Sequence, residues 1–216
     1  KTYLLFAGPT TFVFLTVNIL PFLFGIYLTF TNWDGISKTY TFVSFSNYIT
    51  VFKDRMFWSS FMLTVKYVFY TVVIVNTLGF ILAYALTGNN VRGQNFLRTG
   101  FFIPNLIGGI ILGLVWRFIF SNVLVFIGRN LNIGFLSYSW LANPDKAFWT
   151  LVIVSVWQYS GYMMIIFIAG LSNIPRELIE AATIDGANGL HRLRNIVLPL
   201  MVPSFIVTVF LTIQRG

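Results

Sequence analysis

The sequence predicts an all-α, polytopic transmembrane helical bundle, and three observations carry that expectation. Of 216 residues, 57% are hydrophobic and only 9% are charged, where soluble domains carry about 25% charged residues. The apolar residues fall in runs of about 20, the length that crosses roughly 30 Å of hydrocarbon. The runs are unbroken, as at residues 106–115, where the strands of a barrel would alternate. A soluble core of this size could not hide so much apolar surface, because a globule still needs a wetted exterior. Lipid is the solvent that accepts it.

Five crossings are expected, at residues 3–30, 58–86, 101–120, 148–171 and 196–213. Pro9 and Pro21 mark bends in the first. Turn or charge signals bound each run: Asn32-Trp33-Asp34-Gly35, Gly88-Asn89-Asn90, Ser121-Asn122, Asn143-Pro144-Asp145 and Ser172-Asn173-Ile174-Pro175. Trp and Tyr suit the interfaces. The first residue is Lys1, and the fifth run breaks off at Arg215-Gly216 with no anchor behind it. A C-terminally truncated membrane domain over 1–216, with a sixth helix missing, is therefore expected.

Basic residues do not orient the bundle. With a cytoplasmic N-terminus, Lys1, Arg92, Arg98, Arg176, Arg192 and Arg194 lie inside. Lys38, Lys53, Arg55, Arg129 and Lys146 lie outside. Six against five is too close for the positive-inside rule. The net charge of +8 is scattered and forms no stripe, so lipid headgroups explain it better than nucleic acid. Cysteine is absent, which removes disulfides, thiolate metal sites and thiol nucleophiles. The six acidic residues form no paired constellation in a crossing, and His191 stands without partners. Enzyme chemistry, catalytic residues and a metal site have little to stand on.

Residues 173–189 are too polar to cross and too regular for a loose loop. Pro175 suits a first helical turn, and Glu177 and Glu180 suit its positive end. Leu178, Ala181, Ala182 and Asp185 recur at i, i+3, i+4 and i+7 on one face. The two alanines let another backbone approach closely. Gly186 can take the positive φ that ends the helix. Asn188 can cap a second short helix that leads through Arg192 and Arg194 into the fifth crossing, loosened by Pro199 and Pro203. The expectation is a short helix-turn-helix with a small-residue docking face, at about residues 173–195.

Glu180-Ala181-Ala182, then Gly186, Ile196, Leu198-Pro199 and Pro203 resembles the EAA loop of binding-protein-dependent ABC importers. The carbohydrate-uptake branch, with its maltose, multiple-sugar and glycerol-phosphate permeases, is resembled more widely. Phe45-Ser46-Asn47-Tyr48 with Phe52, Asp54, Phe57 and Trp58 is similar to its first external loop. Pro104, Trp116 and Phe120 are similar to its third helix. Trp140-Leu141, Ala147, Trp157 and Ala169-Gly170-Leu171 are similar to the approach to its loop. Leu193 departs from the usual Phe, and the final helix is absent.

The resemblance implies a multi-pass permease of a bacterial or archaeal cytoplasmic membrane, with N-terminus and EAA loop cytoplasmic. It implies a second homologous permease, two ATPase subunits (homodimer or heterodimer) and an extracytoplasmic sugar-binding protein. Glu180, Ala181, Ala182, Asp185 and Gly186 would couple to the ATPases, which would bind ATP and Mg. No phosphate-cradling Gly-Lys-Ser loop occurs in this chain. The alternatives are the same machine carrying a polyol or glycerol phosphate, and a secondary transporter or channel subunit.

Trp157, Gln158, Tyr159 and Tyr162 form a polar patch in the fourth crossing, with Asn76 and Asn105 as weaker companions. They are candidates for the solute path, since sugars suit aromatic faces and amides. Helix–helix hydrogen bonding is the plainer role for the same residues. Lys66, inside the second crossing, and Arg117, expected near the end of the third, are read as snorkelling to the headgroups. For Lys66 a functional role stays open.

Overall fold

The computed structural model of the chain describes residues 2–88 and 92–215, with side chains from Phe6 onward. Lys1, the Asn89-Asn90 turn signal and Gly216 lie outside the described residues. The chain divides into two compact units, one ending at Leu63 and the other beginning at Thr64.

The first unit opens with α1, which runs from Thr2–Phe14 through a wide π turn at Leu15–Ile19 into Leu20–Leu28. The wide turn sits directly before Pro21. Proline lacks an N–H and crowds the carbonyl four residues back, and a turn widened by one residue relieves that crowding without ending the helix. The span Phe6–Leu28 is apolar all round and buries 0% of its most apolar stretch inside the chain. The following loop folds on itself. Thr31 and Phe42 form an antiparallel bridge. Asn47, on α2 (Ser46–Lys53), donates to the carbonyls of Thr29 and Thr31 at 2.9 and 2.7 Å. The Phe30 ring meets those of Phe45 and Tyr48 at 5.3 and 5.4 Å. Asp54 then accepts from the Met56 N–H at 2.8 Å and starts α3.

The 33-residue α3, Arg55–Thr87, continues into the second unit. There it is joined by α4 (Gln94–Phe102), α5 (Gly109–Asn130) and α6 (Pro144–Ser172). The short α7 (Arg176–Ile184), then α8 (Gly189–Leu200) and α9 (Val202–Arg215) complete it. Asn143 caps α6 by accepting from the Asp145 and Lys146 N–H groups, with Pro144 in the first turn. The core joins Val75, Ala83 and Leu86 of α3 to Met163, Met164 and Phe167 of α6, and to Val197 and Met201 beside the α8–α9 break. Phe80, Phe167 and Phe205 close an aromatic triangle across α3, α6 and α9, with centroids 4.7 to 5.6 Å apart. Such contacts fix helix crossings where lipid offers no hydrophobic driving force.

α1, α3, α5 and α6 are each long and apolar enough to cross, and α8 with α9 passes as one span bent by 66°. The bend lies between Pro199 and Pro203, and a π turn at Leu193–Val197 precedes Pro199 as the one at Leu15–Ile19 precedes Pro21. The third crossing differs from its expectation. Residues 101–120 contain the end of α4, a 3-10 turn at Ile103–Leu106 and extended Ile107 before α5 begins. Pro104 lies in that turn and cannot continue an α-helix. The span is Gly109–Asn130 instead, and Ser121-Asn122 is no turn but part of a π turn at Ile119–Val123 inside it. Arg117 therefore stands mid-span and exposed, not near a helix end.

Candidate functional site

Two places in the second unit carry the chemistry that the sequence singles out. The first is the helix pair between α6 and α9. α7 ends in a closed C-terminal motif: Ala187 donates to the Ala182 carbonyl at 2.9 Å and Gly186 to that of Thr183 at 3.1 Å. This six-to-one and five-to-two pairing needs a left-handed residue at the turn, and Gly186 supplies it with φ +76°. No atom lies within 4 Å of where a Cβ would stand, so the glycine is required by conformation and not by space. Asn188 caps α8 through the His191 N–H at 2.8 Å. Arg192 reaches back to the Thr183 hydroxyl at 2.7 Å and ties the two helices together.

Only one side of the pair is anchored. Ile174, Ile179, Leu193 and Val197 pack into the core formed by α3 and α6. Leu193, where the resemblance expects Phe, is thus a core contact. The opposite side is open. Leu178 is 43% exposed and Ile184 86% exposed, with Ala181 and Asp185 exposed beside them. Ala182 is half-buried at the turn closure and stands back from that face. Glu180 lines a cleft of about 690 Å³ with Tyr84, Thr87, Leu171, Arg176 and Arg192. The face expected at Leu178, Ala181, Ala182 and Asp185 is accordingly broadened by Ile184, which falls outside an i, i+3, i+4, i+7 count.

The second place is the patch on α6, and it splits by helix geometry. Trp157 points to one side, its ring edge against Trp116 of α5 at 5.4 Å. Gln158, Tyr159 and Tyr162 point to another. Gln158 donates to the Ile107 carbonyl at 3.4 Å, a group left free by the extended break before α5. Arg215 lies over Tyr159 and Tyr162, with its guanidinium carbon 5.2 and 4.6 Å from the ring centres. It also donates to the Asn105 side-chain oxygen at 2.9 Å. Gly161 lets the end of α4 approach α6 closely, since a Cβ there would collide with the Phe101 carbonyl. Asn76 is 5% exposed, donates to the Val72 carbonyl and to Thr212, and ties α3 to α9. Of the five candidates, then, Tyr159 and Tyr162 meet at one point and Gln158 beside them, while Trp157 and Asn76 serve other contacts. Arg215 is the residue that sequence patterning did not rank. Its signal was present: a cation beside an apolar run in a chain whose runs hold no acid to pair with it.

The family profile described as "Binding-protein-dependent transport system inner membrane component" matches residues 75–215. The chain belongs to this family. A "probable starch degradation products transport system permease protein" of Thermoanaerobacterium thermosulfurigenes is 44% identical over 99% of the chain and 72% of its own length. A "trehalose/maltose transport system permease protein" of Thermococcus litoralis is 33% identical over 94% of the chain and 69% of its own length. A "multiple sugar-binding transport system permease protein" of Streptococcus mutans is 31% identical over 91% of the chain and 67% of its own length. The chain spans 61% to 72% of the lengths of these and other curated relatives that it matches. Among solved structures, a bacterial ABC transporter that imports the acidic polysaccharide alginate matches with TM-score 0.80 and 22% identity. That match covers 97% of this chain and 72% of the other, a likeness of fold.

As a permease component of a binding-protein-dependent system, the chain is a multi-pass membrane protein and not an enzyme. The matched region begins within α3, so it holds the core, the helix pair and the α6 patch together. The family match and the relatives favour this reading over a secondary transporter or channel subunit.

Proposed function

We propose that this permease moves a sugar or oligosaccharide across a cytoplasmic membrane, driven by two ATPase subunits, one of which docks on the helix pair at residues 173–195. A second permease would complete the pathway, and an extracytoplasmic sugar-binding protein would deliver the solute. ATP and Mg would be held by the ATPases. The N-terminus and the helix pair would then be cytoplasmic. The observation that carries this reading is the one-sided anchoring of the pair. Its inner side is continuous with the core of α3 and α6, and its outer side presents Leu178, Ala181, Ile184 and Asp185. A push on that side would pass through Ile179 and Leu193 into the spanning helices. The 66° break at Met201 gives α9 a place to move.

The sugar is supported by the names of the relatives and by aromatic and amide groups at Tyr159, Tyr162, Gln158 and Asn105. Co-purification of an ATPase with the tagged permease, and its loss in an Ile184→Asp variant, tests the docking. An I184D variant that still recruits the ATPase and transports at the wild-type rate would overturn it.

A further inference from the structure

Among the described residues, three buried side-chain atoms have no hydrogen-bond partner: Thr71 Oγ1, Asn76 Oδ1 and Arg98 Nε. Of the three side chains, Asn76 is the one that also holds a second spanning helix. Its amide donates to the Val72 carbonyl on its own α3 at 2.8 Å, and across to the Thr212 hydroxyl of α9 at 3.2 Å. Turning the amide over gives no relief. Its oxygen would then face the Val72 carbonyl, and the Thr212 hydroxyl already donates to the Thr208 carbonyl at 2.7 Å. Thr208 and Thr212, one turn apart on α9, are fully buried. A buried acceptor left bare costs more than an ordinary hydrogen bond returns, whereas an apolar group of the same shape carries no such cost. The closed seam between α3 and α9 is thus held by one hydrogen bond and opposed by one bare oxygen. That oxygen is sealed from its surroundings, so only a parting of the two helices gives it a partner. The seam also borders the aromatic cluster on α6: one turn beyond Thr212, Arg215 lies over Tyr159 and Tyr162.

We infer that Asn76 is a positioning residue for transport, which keeps the α3–α9 seam able to open. When the helices part along the solute path, water reaches Oδ1 and offsets what the open state loses in contacts. When they close, the Thr212 bond sets their register and the bare oxygen limits how tightly they hold. The inference rests on the ATP-driven reading above and adds to it which pair of helices parts during the cycle.

The chain has no cysteine, so Thr208→Cys places a single reporter thiol in the seam. The Thr208 hydroxyl donates within α9, to the Phe205 carbonyl at 3.1 Å, and its loss leaves the Asn76–Thr212 pair intact. The complete transporter carrying T208C, with partners free of cysteine, is reconstituted in proteoliposomes. It is treated with methanethiosulfonate ethylammonium, both free of nucleotide and trapped with ATP and vanadate. Modification is expected to be at least about tenfold faster in one of the two states. Asn76→Leu removes the bare oxygen and keeps the shape, so it should slow modification in that state about tenfold and slow ATP turnover with it. Thr212→Val removes the bond and leaves the oxygen, so it should speed modification in the protected state. A packing role alone would loosen the seam in both variants. Shifts of the same sign, or no shift, therefore overturn the inference, as does an N76L complex that fails to assemble. A complex that hydrolyses ATP but is modified at one rate in both states overturns this inference alone. A complex that hydrolyses no ATP removes the ATP-driven reading with it.

Discussion

The loop after α1 and the helix pair before α9 are built from the same materials and do different work. Both use side-chain caps, a glycine with positive φ and a few apolar anchors. In the loop these all close on themselves. Asn47 holds the carbonyls of Thr29 and Thr31, Phe30 packs on Phe45 and Tyr48, and Asp34 closes its own turn at Ser37. In the helix pair the caps close the turn, but Ile174, Ile179, Leu193 and Val197 leave the element and enter the core of α3 and α6. A self-contained loop can be rigid without passing force to a spanning helix. An element whose anchors belong to those helices cannot move without moving them.

The largest effect should come from Gly186. Gly186→Ala adds a Cβ that meets nothing within 4 Å, but imposes a left-handed cost of roughly 1–2 kcal/mol on the turn. Transport is expected to fall about tenfold or more while the complex still assembles and hydrolyses ATP. Unchanged solute uptake in proteoliposomes would show that the pair is no lever.

Next, Ile179→Ala removes a half-buried anchor and should cost about 1–2 kcal/mol. It should lower the thermal midpoint in detergent and weaken the coupling of hydrolysis to uptake. A loss of stability with normal coupling would place the force path elsewhere.

Asn47→Ala makes the complementary test. Loss of its two bonds should cost about 1 kcal/mol, open residues 29–45 to limited proteolysis, and leave that coupling as it was. A coupling defect would break the comparison from the other side.

The smallest effect concerns pH. N–H donors of Ser37 and Ile36, with the Ser37 hydroxyl, hold the Asp34 carboxyl down to about 2 from the ordinary 3.8. A depressed carboxylate contributes its stability fully above the unfolded value and loses it as pH falls through the folded one. The turn should therefore loosen between about pH 4 and pH 2. Trp33, whose indole donates to the Ser37 carbonyl at 2.8 Å, reports this by its emission against a Trp33→Phe control. Asp34→Asn should remove the pH dependence.

Three of the crossings were legible to within a few residues, because hydrocarbon thickness sets run length and uncharged runs announce themselves. The third was not. A hydropathy count passes over Pro104 and extended Ile107, whose neighbours are as apolar as any span, and it reads Ser121-Asn122 as a turn. Their polarity is absorbed inside α5, where a π turn carries the helix through. The error moved Arg117 from a helix end to mid-span. Gly186, Asn188 and the paired prolines were legible because each is a local backbone requirement, met or failed within four or five residues.

By itself the sequence determined the solvent, the helical class, the helix-turn-helix and the family pattern around Glu180-Ala181-Ala182. These follow from composition, run length and backbone chemistry, which act over short stretches of chain. Only the tertiary structure decided which side of α7 is anchored and which is open. It alone separated Trp157 and Asn76 from Tyr159 and Tyr162, and brought Arg215 onto those two rings across more than 50 residues of sequence. The reason is geometric. A patch on one helix becomes a site only when another helix delivers its complement, and that depends on crossings set by small contacts such as Gly161 against the Phe101 backbone.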